Sequence, residues 1–291
     1  MISPRGLSVE RFGMEEKMNH INDAENISQK QYQEAFPYIL DIHTHSLASG
    51  HAYGTIREMA QAASEKGLSL LGIADHAPGT PGTCDPAYFL NLHAVPEILS
   101  GVRVIHGSEI NVRNDGTLSL GQRYIDRLDY AIVGIHGDCY EDAGREQNTR
   151  NLIACMKNEK VHFVSHPDDD HTPLDYEMLV RAAKEYQVAL EVNNSSFYKQ
   201  DRRLNCVQNY RTMLALCEKL RVPVIVSSDA HDPSAVGNFE EAEKLLKEID
   251  FDETLVLNTS VEKLLLHIGM SKDVVQVCPK MWGLDRTKKK N

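Results

Sequence analysis

Seven short apolar runs alternate with longer amphipathic ones along this chain, and that alternation limits the fold more than any other feature. The apolar runs are "PYILDI", "SLLGIA", "RVIHGSEI", "YAIVGI", "HFVS", "VALEVN" and "VPVIVSS". They read as strands of nearly continuous apolar character, as strands covered on both faces should be. Between them, "TIREMAQAASEKG", "EQNTRNLIACMKN", "LDYEMLVRAAKEY", "VQNYRTMLALCEKL" and "FEEAEKLLKEI" carry apolar residues at helical spacing. Leu152, Ile153, Cys155 and Met156 would form one such face, and Gly67 follows its helix as a C-terminal cap would. Strands joined by helices imply parallel pairing through crossovers, hence an α/β fold. Two architectures satisfy the pattern, an open doubly wound sheet or a closed barrel. No GxGxxG or Walker-type loop is present, so the usual nucleotide signature of the open sheet is missing. The 291 residues are read as a 1–36 N-terminal extension, a single domain over 37–268 and a 269–291 tail ending in "DRTKKKN".

The ends of the apolar runs carry the chemistry. His43 and His45 end the first, Asp75 and His76 the second, Glu109 the third, His136 the fourth, His166 the fifth, and Asp229 and His231 the seventh. In parallel α/β folds the C-terminal ends of the strands converge on one face, where sites are built. Residues two apart on a strand point the same way, so His43 with His45, and Asp229 with His231, act as paired teeth. Adding His51 gives nine imidazole or carboxylate candidates: His43, His45, His51, His76, Glu109, His136, His166, Asp229 and His231. One ion takes about four protein ligands, so the set suits two or three ions. A single histidine on a strand is ordinarily a core or surface residue. Six strand ends carrying ligand-type groups would require six independent coincidences. His20, His93, His106, His162, His171 and His267 do not share that placement and are read as core or surface histidines, although His171 in the acidic loop "DDDH" could approach the cavity mouth.

The remaining features narrow the function. The net charge of −11 argues against a general nucleic-acid surface. The six cysteines form no CxxC pair and read as packed thiols, not a disulfide framework. The first twenty residues lack a signal-type apolar segment, and no apolar run is long enough to span a membrane, which suggests a cytoplasmic protein. Asp75 could orient a neighbouring imidazole or cap a turn. Asn193, Asn194, Ser195 and Ser196 follow the sixth strand and could donate hydrogen bonds to phosphate, or form a capped turn. Arg113, Lys199, Arg202 and Arg203 are candidate phosphate partners, against the plainer reading of surface charge.

"DIHTH", "ADH", "SHP" and "SDAH", in this order, resemble the four motifs of the PHP (polymerase and histidinol phosphatase) family of metal-dependent phosphoesterases. "ASGHAYGT", "HGSEIN", "GIHG" and "LEVNNSSF" are similar to its YcdX-type small bacterial phosphatases. The resemblance implies a distorted seven-stranded (β/α)7 TIM-like barrel, with a trinuclear metal site at the C-terminal ends of the strands. It implies that His43, His45, Glu109 and Asp229 hold one ion and that Glu109, His136 and His166 hold a second. His51, His76 and His231 would hold a third. The implied reaction is hydrolysis of a small phosphate monoester by a metal-activated hydroxide, with Glu109, Asp229 and Asp75 at its heart. Histidinol phosphate is a possible substrate within this class.

Three other readings are weighed against it. A metal amidohydrolase also begins with HxH, but Glu109 and "SDAH" disfavour it. A PHP nuclease should carry a large insertion between the fourth and fifth strands, and only 29 residues separate His136 from His166. A catalytically silent metal-binding module would come attached to a polymerase. The imidazole-rich set favours transition metals, zinc first, then manganese or iron. Elemental analysis of protein purified without chelator should find two to three transition-metal equivalents per chain. A folded but metal-free protein would contradict the reading.

Overall fold

The computed structural model describes residues 38–270. The expected extension, the tail from 271 onward, His20 and Cys278 lie outside the described residues. Nine strands are present there: β1 Leu40–Thr44, β2 Leu70–Ile73, β3 Ile98–Leu99, β4 Val102–His106, β5 Glu109–Asn111, β6 Ala131–Gly134, β7 Val161–Val164, β8 Ala189–Asn193 and β9 Val224–Ser227. The main helices are α1 Ile56–Glu65, α2 Gln122–Ile125, α3 Arg145–Met156, α4 Tyr176–Tyr186, α5 Cys206–Leu220, α6 Glu240–Glu248 and α7 Val261–His267. All five expected helices form. Thr55 and Glu58 close a capping box on α1, and Gly67 follows it at φ 78°. On α3, Leu152, Cys155 and Met156 are buried as expected, while Ile153 is half-buried. Among the described residues no helix is long and apolar enough to cross a membrane. Cys84, Cys139, Cys155, Cys206 and Cys217 are free thiols.

All strand pairings are parallel except that of β3 with β4, a two-residue edge strand the sequence did not announce. The strands form two sheets, ordered β1-β2-β4-β3 and β5-β6-β7-β8-β9. They do not make one continuous closed sheet, because the third apolar run breaks. Gly107 and Ser108 interrupt it, leaving β4 in one sheet and β5 in the other. A Cβ on Gly107 would lie 2.6 Å from the ring of Tyr130, so glycine there makes room for that side chain. Tyr130 is fully buried and donates to Ile42 O at 2.5 Å. It lies in a core cluster with Leu40, Ile42, Leu70, Ile105, Ile132, Phe163 and Ile225, to which seven strands contribute.

Single bridges join the two sheets at both edges. His76 pairs with Glu109, and Thr44 pairs with Ala230. At the second edge, between β1 and β9, one side chain bonds the backbone of both strands. Asn258 is fully buried; its Nδ2 donates to Leu40 O (3.0 Å) and Val226 O (2.7 Å), and its Oδ1 accepts from Val226 N (2.7 Å). Asn258 thus supplies the hydrogen bonds that a missing ladder would have made. Asn258→Ala should orphan three buried backbone groups, each worth ~1–3 kcal/mol. Chemical denaturation should show a loss of roughly 3 kcal/mol or more. A loss under about 1 kcal/mol would mean water or a shifted backbone replaces the side chain.

Candidate metal centre

Glu109 opens β5 and is 1% exposed, with five imidazoles around its carboxylate. Oε2 faces His76 Nδ1 (3.0 Å), His43 Nε2 (3.3 Å) and His45 Nε2 (3.7 Å). Oε1 faces His166 Nε2 (2.9 Å) and His136 Nε2 (3.1 Å). Asp229 Oδ1 stands on the other side of the first pair, 3.2 Å from His45 Nε2 and 3.7 Å from His43 Nε2. His51 Nε2 and His231 Nε2 meet at 3.0 Å. The His76 ring lies 4.9 Å from His51 and 5.8 Å from His231, yet its Nδ1 turns toward Glu109. All nine sequence-derived candidates therefore converge in one cluster. Gly134 completes the wall, since a Cβ there would lie 3.3 Å from Glu109 Oε1 and 3.1 Å from His136 Cε1.

Several rings are held by buried acceptors behind them. His43 Nδ1 lies 2.7 Å from Glu191 Oε1. Glu191 Oε2 accepts from His166 N and Asn193 Nδ2. His45 Nδ1 lies 3.0 Å from the Ser49 hydroxyl, which donates its only proton to Asp75 Oδ1 at 2.7 Å. Asp75 also accepts from Ser46 N, Ser46 Oγ and Tyr88 Oη. Asp75 thus reaches His45 only through Ser49, and it also holds the turn that begins at Ser46. His231 Nδ1 lies 2.9 Å from the Asp229 carbonyl. In each case the partner accepts, so Nδ1 carries the hydrogen and Nε2 turns to the cluster. Glu191 and Ser49 escaped the sequence reading. A charged residue inside the apolar run "VALEVN" was the available signal for Glu191; Ser49 gave none.

Electrostatics reflect this crowding. Burial works to raise Glu109, but the charges of His136, His43 and His76 outweigh it and hold the carboxyl well below its ordinary range. Asp229 is likewise held down by His45 and His43 against its burial. Burial disfavours charge on His43, yet Glu191 and Glu109 raise it well above the ordinary imidazole value. Burial and the charge of His76 depress His45 well below its ordinary value. Burial and the Arg203 guanidinium push His166 down to about 4.

The donor set fits divalent ions. Nε2 of His43 and of His45 and Nδ1 of His76 are buried without a hydrogen-bond partner, so their approaches to carboxylates are close but poorly directed. Among the described residues the donor atoms lie within 4.8 Å of one another inside each of three triplets: His45/His76/His231, His43/His45/Glu109 and His76/Glu109/His136. Two imidazole nitrogens at 3.0 Å repel unless a proton or cation lies between them. Two candidates also sit in left-handed backbone at the strand ends, His166 at φ 27° and Asp229 at φ 53°. Non-glycine residues hold such angles at a cost, most often at functional sites.

A cavity of about 790 Å³ lies over the cluster, bounded by His51, His136, Asp229 and His231 and by Asn194, Ser195, Tyr198, Lys199, Arg202 and Arg203. Lys199 Nζ is 3.7 Å from Asp229 Oδ2. The other expected phosphate partners are spread more widely. Asn193 and Ser196 are buried; Asn193 Oδ1 accepts from Ser196 N. Asn194 Oδ1 accepts from Glu241 N and Ala242 N, which caps α6. Arg113 borders a separate cavity of about 450 Å³ beside Cys139 and donates to Ser119 O. His171, read as structural, borders the main cavity and pairs with Asp169 at 2.7 Å.

Comparison with known proteins identifies the family. The PHP domain family matches residues 41–250. A protein of Acetivibrio thermocellus named "Probable phosphatase" is 38% identical over 240 residues, covering 82% of this chain and 98% of its own length. Another so named, from Caldanaerobacter subterraneus, is 41% identical over 232 residues, covering 79% of this chain and 91% of its own. Among solved structures, histidinol phosphate phosphatase from Lactococcus lactis, complexed with zinc, L-histidinol and phosphate, superposes with a TM-score of 0.52. It is 19% identical and covers 74% of this chain and 95% of that one, a likeness of fold. The chain belongs to the PHP domain family.

The buried acceptors generate a prediction about metal affinity. Glu191→Gln keeps the shape but weakens the acceptor behind His43, and Ser49→Ala cuts the link from Asp75 to His45. Each should lower metal affinity about 10–100-fold while the protein stays folded. Competition titration with a chromophoric chelator measures it. Unchanged affinity in both variants would show that these contacts do not set ring orientation.

Proposed function

We propose that this PHP-family chain is a metal-dependent phosphomonoesterase acting on a small phosphorylated substrate. The observation that carries the reading is Glu109, a buried carboxylate with its two oxygens turned to different histidine sets. In the proposal Glu109 would serve two ions, one held with His43, His45 and Asp229 and the other with His136 and His166. His51, His76 and His231 would hold a third. Zinc suits the imidazole-rich set first, with manganese or iron as substitutes. We read the fold as a distorted seven-stranded barrel within residues 38–268, its third strand broken into β4 and β5. The bridges His76–Glu109 and Thr44–Ala230 support that reading.

When bound, divalent ions supply Lewis-acid polarisation and lower the pKa of attacking water. The chain's own residues do the rest. Ser195, Lys199 and Arg203 border the cavity and present donors and positive charge where charge builds on the phosphoryl oxygens. Asn193, Asn194 and Ser196 hold the framework beneath them, and Arg113 has no part in phosphate binding. Asp75, through Ser49, keeps His45 aimed at the cluster.

The test is a panel of phosphate monoesters, histidinol phosphate among them, with a diester for contrast, assayed on metal-stripped and metal-reconstituted protein. Reconstituted protein should release phosphate from monoesters, and stripped protein should not. Glu109→Gln should lose metal and lower kcat/KM by more than about 100-fold, beyond what loss of a supporting residue causes. Failure of the folded, metal-loaded protein to hydrolyse any monoester would overturn the proposal.

A further inference from the structure

His166 differs from the three candidate ligands whose outer ring nitrogen faces an acceptor. His43, His45 and His231 each set Nδ1 against an acceptor, as described above. Nδ1 of His166 lies 2.9 Å from Nη1 of Arg203. A guanidinium donates and never accepts. His166 Nδ1 must therefore be the acceptor, and a neutral ring then carries its proton on Nε2. That nitrogen points at Glu109 Oε1, 2.9 Å away, and donates to it. In this arrangement His166 has no lone pair to offer on the cluster side. An ion bound at Nε2 would shift the proton to Nδ1 and set two donors against each other at a hydrogen-bonding distance. The guanidinium would then have to leave.

We propose that Arg203 is a positioning residue that controls whether His166 serves as a ligand. Seated on Nδ1, it withholds the ring; drawn onto an anion, it releases it. Two anions can draw it. One is built in: Asp168 is fully buried, neither carboxylate oxygen has a well-formed hydrogen bond, and Oδ1 is 3.6 Å from Arg203 Nη1. A void of about 10 Å³ bordered by His166, Asp168 and Arg203 leaves space for a small shift or one water. The other is the phosphoryl group of a substrate, because Arg203 also borders the main cavity beside Lys199. This second part rests on the phosphatase reading. Metal occupancy at His166 and anion binding then strengthen each other, because coupling between two ligands is reciprocal.

The test reads tautomers and binding, so its outcome is independent of whether any ester is hydrolysed. In metal-stripped full-length protein with ¹⁵N-labelled histidine, long-range ¹H–¹⁵N spectra report which ring nitrogen is protonated. His166 is assigned by the signal lost in His166→Gln. It should carry its proton on Nε2, while His45 and His231 carry theirs on Nδ1. A His166 protonated on Nδ1 in stripped protein overturns the proposal. With zinc and inorganic phosphate, the His166 proton should move to Nδ1. Phosphate should tighten zinc binding roughly 10-fold in the wild-type chain. In Arg203→Met, and in Arg203→Gln, whose side-chain carbonyl can accept from Nδ1–H, zinc should bind more tightly without phosphate and the phosphate effect should shrink. An equal phosphate effect in wild type and both variants would refute the coupling. The wild-type tautomer measurement needs no variant, so it decides even if neither variant folds.

Discussion

Glu109 joins the two halves of the structure through both its backbone and its side chain. Its backbone N–H donates to Ala74 O and Asp75 O, and its carbonyl accepts from Ala77 N, which ties the end of β2 to the start of β5. Its carboxylate draws in histidines from β1, from the end of β2, and from the loops after β6 and β7. A buried carboxylate without partners would be very costly. The surrounding imidazoles offset that cost, and the break at Gly107–Ser108 lets the chain change sheets where the carboxylate is needed. Seam and site are therefore one problem with one solution. A barrel edge closed by ordinary ladder pairing would leave less freedom to aim this side chain.

Around this centre lies a layer of carboxylates that ligate nothing in the proposed scheme. Asp41 accepts from Ser228 N, Ser228 Oγ and Gly237 N, linking β1 to the segment after β9. Burial nonetheless raises its pKa to about 6. Asp75 takes four donors and Glu191 takes two besides the His43 ring. Buried polar networks specify one arrangement only when nearly every member is satisfied. Here Asp41, Asp75 and Glu191 are satisfied, whereas the inward-facing Nε2 of His43 and of His45 and Nδ1 of His76 are unpartnered, as are His136 Nδ1 and both Asp168 oxygens farther out. Three convergent unpartnered imidazole nitrogens are what a cluster shaped to receive cations should show.

The sequence revealed the fold and the cluster to different depths. Strand ends were legible because parallel topology sends them to one face, so His43, His76, His136, His166 and Asp229 needed only a correct period and order; Glu109, read as the end of the third strand, instead opens β5 after the break at Gly107–Ser108. Helices were legible from spacing and caps. The break in "RVIHGSEI" was not, since an apolar run with an internal glycine looks like one strand until Tyr130, twenty-two residues past Ser108, takes the space inside. The run Asn193–Ser196 looked ready for phosphate because short polar side chains suit both caps and anions; which one wins depends on α6 arriving at Asn194, a contact 47 residues away in the chain. Arg203 looked like surface charge beside Arg202, and only tertiary packing sets it against His166 and Asp168. Charge type was visible in the sequence; partner identity was set by long-range geometry.

The backbone strain at His166 and Asp229 links stability to ligand binding. Left-handed angles at non-glycine positions cost about 1–3 kcal/mol each, and glycine would remove the cost along with the side chain. Both residues sit where a strand ends and the chain must turn, so a relaxed backbone there would aim the side chain away from the cluster. Ions that bind only the folded state add stability in proportion to RT ln(1 + [L]/Kd). A cluster whose imidazoles compete for protons and whose backbone is strained is therefore poorly suited to stand alone, and each ion bound relieves repulsion that the protein has already built in. By this logic the apo chain should soften first at the strand ends. The core cluster around Tyr130, which holds no ligand, would persist as the stable base on which the site reassembles.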